Sequence, residues 1–282
     1  MASGTAASTP HDDGTTDSGG EPVLVRLARP AEAPEPVRVL LVHGLCSNST
    51  VWSPFVTRAD PRCELWEADM PWRGTGVRDW TLRSVEEWVD LAVSRVPGGV
   101  DVLMAHSFGT STVLSWLDQQ ITGPHDALVA GGRKLRGAVL VSPLYRATSD
   151  DFDWESIAYY LNNFDRILAT GMRAHRKAPG VSERQLAVAL KVRDFIGPYG
   201  WIRFFDTYLR MPQIRTRQMP MPFLIVGGER DFVAFPTDAR ALGASLPDAS
   251  VHILPRNEHF PMVASAESFA SLTNTFLRSL SA

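Results

Sequence analysis

Cys46 and Cys63 are the only two cysteines in 282 residues. Two cannot build a disulfide framework, and with neither a Cys-x-x-Cys nor a His-Glu-x-x-His spacing present they do not announce a zinc site. No metal and no other cofactor is expected. Long apolar runs are also missing: none reaches the roughly 18 residues that a membrane-spanning helix takes. No stretch is rich in Lys and Arg and the net charge is −3, which argues against nucleic acid as a partner. The first twenty residues are rich in Ser, Thr, Gly, Asp and Ala and have no apolar centre. Residues 1–20 therefore read as a disordered tail rather than a signal peptide, and the expected location is the cytoplasm. No internal repeat is visible.

The rest of the chain can bury a large core, since 44% of its residues are hydrophobic. Strand-like runs at 23–27, 37–42, 63–68, 100–104 and 137–141 alternate with helical patterns, which argues for a mainly parallel sheet covered on both faces. A short helical stretch surrounds Trp52 and Phe55. Ser84-x-x-Glu87 reads as a capping box opening a helix over 84–96, with Val85, Trp88, Val89, Ala92 and Val96 on one apolar stripe. Phe269, Leu272, Phe276, Leu277 and Leu280 give the last helix its buried face. Between 144 and 219 the rhythm breaks into a long helical segment with many aromatics, among them Trp154, Tyr159, Tyr160, Phe164, Phe195, Tyr199, Trp201, Phe204, Phe205 and Tyr208.

The run 100–104 ends in Ala105-His106-Ser107-Phe108-Gly109, and 110–119 continues with Val113, Leu114 and Leu117 at helical spacing. A buried strand that breaks into small-His-Ser-x-Gly and becomes a helix reads as a nucleophile elbow, the strained turn that lifts a serine hydroxyl above a sheet. Ala105 stands where glycine is commoner, so one methyl must fit beside the turn. An elbow serine needs a base, a group to orient that base, and donors aimed at the oxyanion. Upstream, strand 37–42 ends in His43-Gly44-Leu45-Cys46. Downstream, strand 222–228 is followed by Glu229-Arg230-Asp231, and strand 251–254 by Pro255-Arg256-Asn257-Glu258-His259-Phe260.

These four motifs, in this order, resemble those of the α/β-hydrolase family over residues 21–280. The resemblance implies an α/β fold with a mainly parallel central sheet, a core formed by 21–143 and 220–282, and a helical cap at 144–219 inserted after the sixth strand. It implies chain order nucleophile, acid, base, hence Ser107, Asp231 and His259. Leu45 and Phe108 would give backbone N–H groups to the oxyanion. Glu229 is a rival acid two residues before Asp231, and Glu258 abuts the histidine. After strand 137–141 no carboxylate appears before Asp150, which makes the family's other acid placement poor. His43 and His106 read as shaping or packing residues, His252 lies within a strand, and His11, His125 and His175 fall in polar stretches.

The cap would exclude water and supply an apolar acyl surface. The residues expected at the pocket wall are His43, Cys46, Trp72, Arg73, Trp154, Tyr159, Phe205 and Phe260. Arg73 sits in Asp69-Met70-Pro71-Trp72-Arg73-Gly74, where its fork could meet a substrate carboxylate or a phosphopantetheine phosphate, or pair with Asp69 or Asp79. Cys46 reads as a packed thiol. The expected reaction is hydrolysis of an ester or thioester of a small, largely apolar acyl substrate, free or joined to a carrier or to CoA. The same triad could instead serve cyclisation, lactone formation or carbon–carbon cleavage, or the chain could bind a ligand without turnover. A serine at the elbow argues against epoxide hydrolase or dehalogenase chemistry, which needs a carboxylate nucleophile there.

Overall fold

Seven strands form one sheet in the order β1-β3-β2-β4-β7-β8-β9. The computed structural model describes residues 22–73, 80–123, 126–176 and 183–280. The expected tail, His11, Asp79 and His125 lie outside the described residues, as do the side chains of Phe164 and His175. In chain order the strands are β1 (Leu24–Arg29), β2 (Val37–Val42), β3 (Cys63–Asp69), β4 (Val102–His106), β5 (Val129–Ala130), β6 (Arg133–Lys134), β7 (Gly137–Val141), β8 (Phe223–Gly228) and β9 (Ala249–Leu254). Only β1 runs antiparallel within the large sheet, at its edge beside β3. All other neighbours are parallel.

The near-continuous apolar composition of the central strands follows from burial on both faces. β4, β7 and β8 are buried at every residue. Because side chains alternate across a strand, Leu103, Ala105, Ala138, Leu140 and Ile225 feed one core layer, while Val102, Met104, Val139, Val141, Leu224 and Val226 feed the other. Ala105 is fully buried within β4, paired to Val42 and Leu140, so its methyl is accommodated without a break in register.

The helices follow the expected capping and stripe chemistry. α1 (Ser53–Val56) continues a short turn at Ser49–Trp52. α2 (Val85–Ser94) begins at a reciprocal cap: Ser84 Oγ accepts from the Glu87 N–H and Glu87 Oε2 accepts from the Ser84 N–H. α3 (Phe108–Gln119) follows β4 directly. α6 (Pro236–Ser245) lies between β8 and β9, and α7 (Pro261–Ala264) and α8 (Ala266–Ser279) close the chain. Phe269 of α8 meets Phe55 of α1 edge-on at 5.6 Å.

The long helical segment follows β7, the fifth strand of the large sheet in chain order, and comprises α4 (Trp154–Arg176) and α5 (Glu183–Leu209). They pack on each other, α5 on α3 and α4 on α7, which brings them over the strand ends that lead into α3 and α7. α5 is broken at Gly197, whose φ of 62° is left-handed and whose successor Pro198 cannot donate to a helical ladder. The sequence reading gives no sign of the β5–β6 hairpin. Gly131 and Gly132 make its turn with φ of 61° and 80°, values that glycine adopts cheaply. Among the described residues no helix is long and apolar enough to cross a membrane.

Candidate active site

Ser107 sits between β4 and α3 with φ 54° and ψ −125°, a conformation an L-residue adopts only under constraint. Three bonds hold it. Its N–H donates to the Val141 carbonyl at 2.9 Å, and its own carbonyl accepts from the Thr110 N–H at 2.8 Å and Thr110 Oγ1 at 2.6 Å. The elbow also needs glycine at 109, where a Cβ would stand 2.6 Å from the His43 carbonyl oxygen. Gly44 is similarly constrained, since a Cβ there would lie 2.9 Å from Ser107 Cβ.

The loops after β8 and β9 bring two more side chains to this serine. His259 Nε2 lies 2.8 Å from Ser107 Oγ, and His259 Nδ1 lies 2.9 Å from Asp231 Oδ2 and 3.1 Å from Oδ1. Asp231 Oδ1 also accepts from the N–H groups of Val233 and Ala234, each at 2.9 Å. A carboxylate can only accept, so Nδ1 carries the imidazole proton and Nε2 is free to accept from the serine hydroxyl. Asp231 and His259 are 3% and 2% exposed, which removes them from competing water. Glu229, the rival acid, is exposed and accepts the Arg256 N–H instead. His252 is exposed on β9.

The turn after β2 faces the elbow. Cys46 adopts φ 58° and gives its N–H to the Trp72 carbonyl at 2.9 Å. His43 accepts the Met70 N–H at Nε2 and donates from Nδ1 to the Gly44 carbonyl at 2.8 Å. Both bonds pin the turn that presents Leu45. Phe108 is the first residue of α3, where a backbone N–H has no acceptor within its own helix. His106 donates from Nε2 to the His259 carbonyl at 2.9 Å and its ring packs at a tilt against those of His259 and Phe260, each with centroids 4.9 Å away.

A cavity of about 270 Å³ opens beside Ser107. Ile167, Leu168, Ala189, Val192, Trp201 and Phe204 from α4 and α5 form its apolar wall, and Ser47, Asn48 and Thr50 a polar one. Cys46 and Phe260, two of the residues expected at the wall, also line it, as does Leu45. The other pocket expectations lie off the wall. His43 and Trp72 are buried behind the Leu45 turn, with Trp72 Nε1 donating to the His43 carbonyl. Arg73 donates to the backbone carbonyls of Pro22 and Asp69, while the Asp69 carboxylate serves the Ser49 N–H and Arg26. Trp154 is 84% exposed. Tyr159 sends its hydroxyl to the Phe232 carbonyl, and Phe205 packs beside Phe204 and Trp201 without reaching the cavity. The wall takes Tyr160 and Phe204 rather than their expected neighbours Tyr159 and Phe205, because one residue turns a helix by about 100°. No described residue of the wall is Asp, Glu, Lys or Arg. The Cys46 thiol is pushed well above its ordinary range by burial, so it lines the cavity as a neutral group.

Burial also keeps the two inner histidines neutral, with His43 lowered to about 4 and His106 shifted in the same direction. Between pH 6.5 and about 4 the unfolded chain binds protons that the folded chain refuses at these sites. Stability is therefore expected to fall as pH drops through that window, by about 3 kcal/mol for His43 alone. Asp238, raised to about 6 by burial, acts oppositely: the folded chain protonates it first, which adds stability as pH falls from 6 towards 3.8. In an Asp238→Asn variant, which removes the opposing group, the urea midpoint between pH 7 and 4 should decline, and a flat or rising profile there would refute neutral burial of the histidines.

The model of the alpha/beta hydrolase family matches residues 39–272. Solved structures that align with the chain include an enol-lactonase from Burkholderia xenovorans, 17% identical over 91% of this chain and 96% of that one, with a TM-score of 0.58. A lipase-esterase related protein from Clostridium acetobutylicum aligns with a TM-score of 0.61 at 13% identity, covering 90% of this chain and 99% of that one. A thermophilic esterase from Thermogutta terrifontis aligns with a TM-score of 0.55 at 18% identity over 92% and 93% of the two chains. Such likenesses speak to the fold. No curated protein matches the sequence.

Proposed function

Since the chain belongs to the alpha/beta hydrolase family, we propose that it is a serine hydrolase acting on a neutral ester or thioester with a compact apolar acyl group. The observation that carries this reading is the continuous hydrogen-bonded line from Asp231 through His259 to Ser107. In the proposed reaction His259 Nε2 takes the Ser107 proton as Oγ attacks the carbonyl carbon. Asp231 holds the Nδ1–H tautomer and stabilises the imidazolium that forms. The Leu45 and Phe108 N–H groups receive the oxyanion, an interaction whose single donors are typically worth about a hundredfold to a thousandfold in rate. The imidazolium then gives its proton to the departing alcohol or thiol. Water, deprotonated by His259, attacks the acyl-enzyme, and the carboxylic acid leaves as Ser107 is restored.

The cavity supports the substrate class. A charged acyl group would lose its hydration against a wall whose described residues offer no counter-charge, a costly transfer. At about 30 Å³ per small group, the cavity holds on the order of ten heavy atoms. Ser47, Asn48 and Thr50 offer polar contacts to the leaving side. Asn48 Oδ1 accepts from the Thr50 N–H and hydroxyl, which leaves the side-chain NH₂ as the available donor. A lactone is a neutral ester with its two halves joined, and it falls within this class. The turned-away Arg73 weighs against a carrier or CoA phosphate at that position.

The test is a fluorophosphonate probe with mass mapping of the labelled peptide, followed by p-nitrophenyl esters of increasing chain length and one ending in a carboxylate. Labelling of Ser107, and turnover that favours short and medium neutral acyl groups over the anionic one by tenfold or more, is expected. A folded protein that leaves Ser107 unlabelled would end the serine hydrolase reading.

A further inference from the structure

We propose that Tyr159 and Tyr160, consecutive residues of α4, are positioning residues that hold the Asp231 carboxylate in register through two peptide units. This inference rests on the assignment of Ser107, His259 and Asp231 made above.

Asp231 Oδ1 is held by the N–H groups of Val233 and Ala234. Each of these belongs to a peptide unit whose other end is a carbonyl: Phe232 C=O for the Val233 N–H, and Val233 C=O for the Ala234 N–H. In a trans peptide the C=O and N–H point in opposite directions, so a bond at one end fixes the direction of the other. Both carbonyls are occupied from the same helix. Tyr159 Oη donates to the Phe232 carbonyl at 2.8 Å, and Tyr160 Oη to the Val233 carbonyl at 2.9 Å. Two parallel chains therefore run from a tyrosine hydroxyl through a peptide group to the same carboxylate oxygen. Each bond polarises the next, so the donors facing Asp231 are strengthened as well as aimed.

The tyrosines are themselves held. Tyr160 is 3% exposed, and its hydroxyl lies 3.3 Å from that of Tyr208 on α5. Tyr159 packs against Tyr160 at 5.7 Å and Phe235 at 5.9 Å. Burial keeps Tyr160 protonated, and hence a donor, far beyond neutral pH. Because Tyr160 also lines the cavity, the wall that receives the acyl group and the clamp on the acid loop share one residue. Seating of α4 on the core is thereby coupled to the state of the catalytic acid.

The experiment compares Tyr159→Phe, Tyr160→Phe and the double variant with the native chain, each losing one or two oxygen atoms and no ring. Turnover of a small p-nitrophenyl ester is followed together with the downfield proton resonance of the His259 Nδ1–H. Each single variant should lower kcat by about fivefold and the double by about twentyfold or more, with KM within twofold of native. The His259 resonance should broaden or move upfield in the double variant. A double variant with native kcat and an unmoved resonance overturns the proposal, even if its melting temperature falls, since that pattern marks the hydroxyls as structural only. Should the double variant not fold, the same two readouts on Tyr160→Phe decide. Fluorophosphonate labelling of native Ser107 separates this failure from that of the triad assignment, which unlabelled native protein would overturn independently.

Discussion

Ser107→Ala is expected to lower ester turnover by about 10⁴-fold or more, and His259→Ala by a similar factor, with the double variant no worse than either alone. The side chains act as one unit: without Oγ there is nothing for Nε2 to deprotonate, and without Nε2 the hydroxyl remains a weak nucleophile 2.8 Å from an empty place. A residual rate of about 10³-fold over water should survive, because the N–H groups of Leu45 and Phe108 and the cavity are untouched. Folding should also survive. The strained φ of 54° at position 107 is imposed by bonds to backbone atoms and by Thr110, none of which uses Oγ. Alanine meets the same steric terms as serine there. Initial rates on a p-nitrophenyl ester, with circular dichroism to verify the fold, decide the matter. A variant keeping more than about one hundredth of native turnover would remove Ser107 from the role of nucleophile.

How much of the fold and site is legible in the sequence depends on which physical signal each part emits. Ser107 and Asp231 follow buried apolar strands and His259 lies in the loop after β9, and both strand composition and strand-end loops leave strong marks in a sequence. β2, β4, β7 and β8 announce themselves because burial on both faces demands mostly apolar residues, Arg38 and His106 being the exceptions. The capping box at Ser84 and Glu87 is a local bond pattern and reads equally well. The pocket wall is different. Choosing between Tyr159 and Tyr160, or between Phe204 and Phe205, requires the rotational phase of α4 and α5. Phe, Trp and Tyr occur on both faces of these helices, so composition does not supply that phase: Phe195 and Tyr199 are exposed while Phe204 and Tyr208 are buried. His43 precedes the Leu45 turn by two residues and Trp72 and Arg73 follow the neighbouring strand β3, yet their polar atoms go to backbone groups behind that turn. Strand ends locate the loops but not the direction of their side chains. The clamp by Tyr159 and Tyr160 spans more than seventy residues and uses backbone carbonyls, which carry no sequence identity at all.

Asp231→Asn should lower turnover by about 10⁴-fold, while Glu229→Gln stays within about twofold of native. The size of the first effect follows from where the two oxygens of Asp231 point. Oδ1 faces the N–H groups of Val233 and Ala234, so in the asparagine variant the carbonyl oxygen must remain there and the NH₂ must take the place of Oδ2, 2.9 Å from His259 Nδ1. A flip would set the NH₂ against two N–H donors and is resisted by both. Nδ1 then faces a donor and must become the acceptor, which moves the imidazole proton to Nε2. An Nε2–H cannot accept from the Ser107 hydroxyl, and the base is lost although no atom has moved appreciably. Glu229 has no such leverage: its Oε2 accepts a single N–H from Arg256 at the exposed rim, and glutamine retains an oxygen for that bond. Steady-state rates of the two variants side by side distinguish the carboxylates. If Asp231→Asn stayed within tenfold of native while Glu229→Gln lost turnover, the acid would be Glu229 and the loop would have to rearrange in solution to bring it to His259.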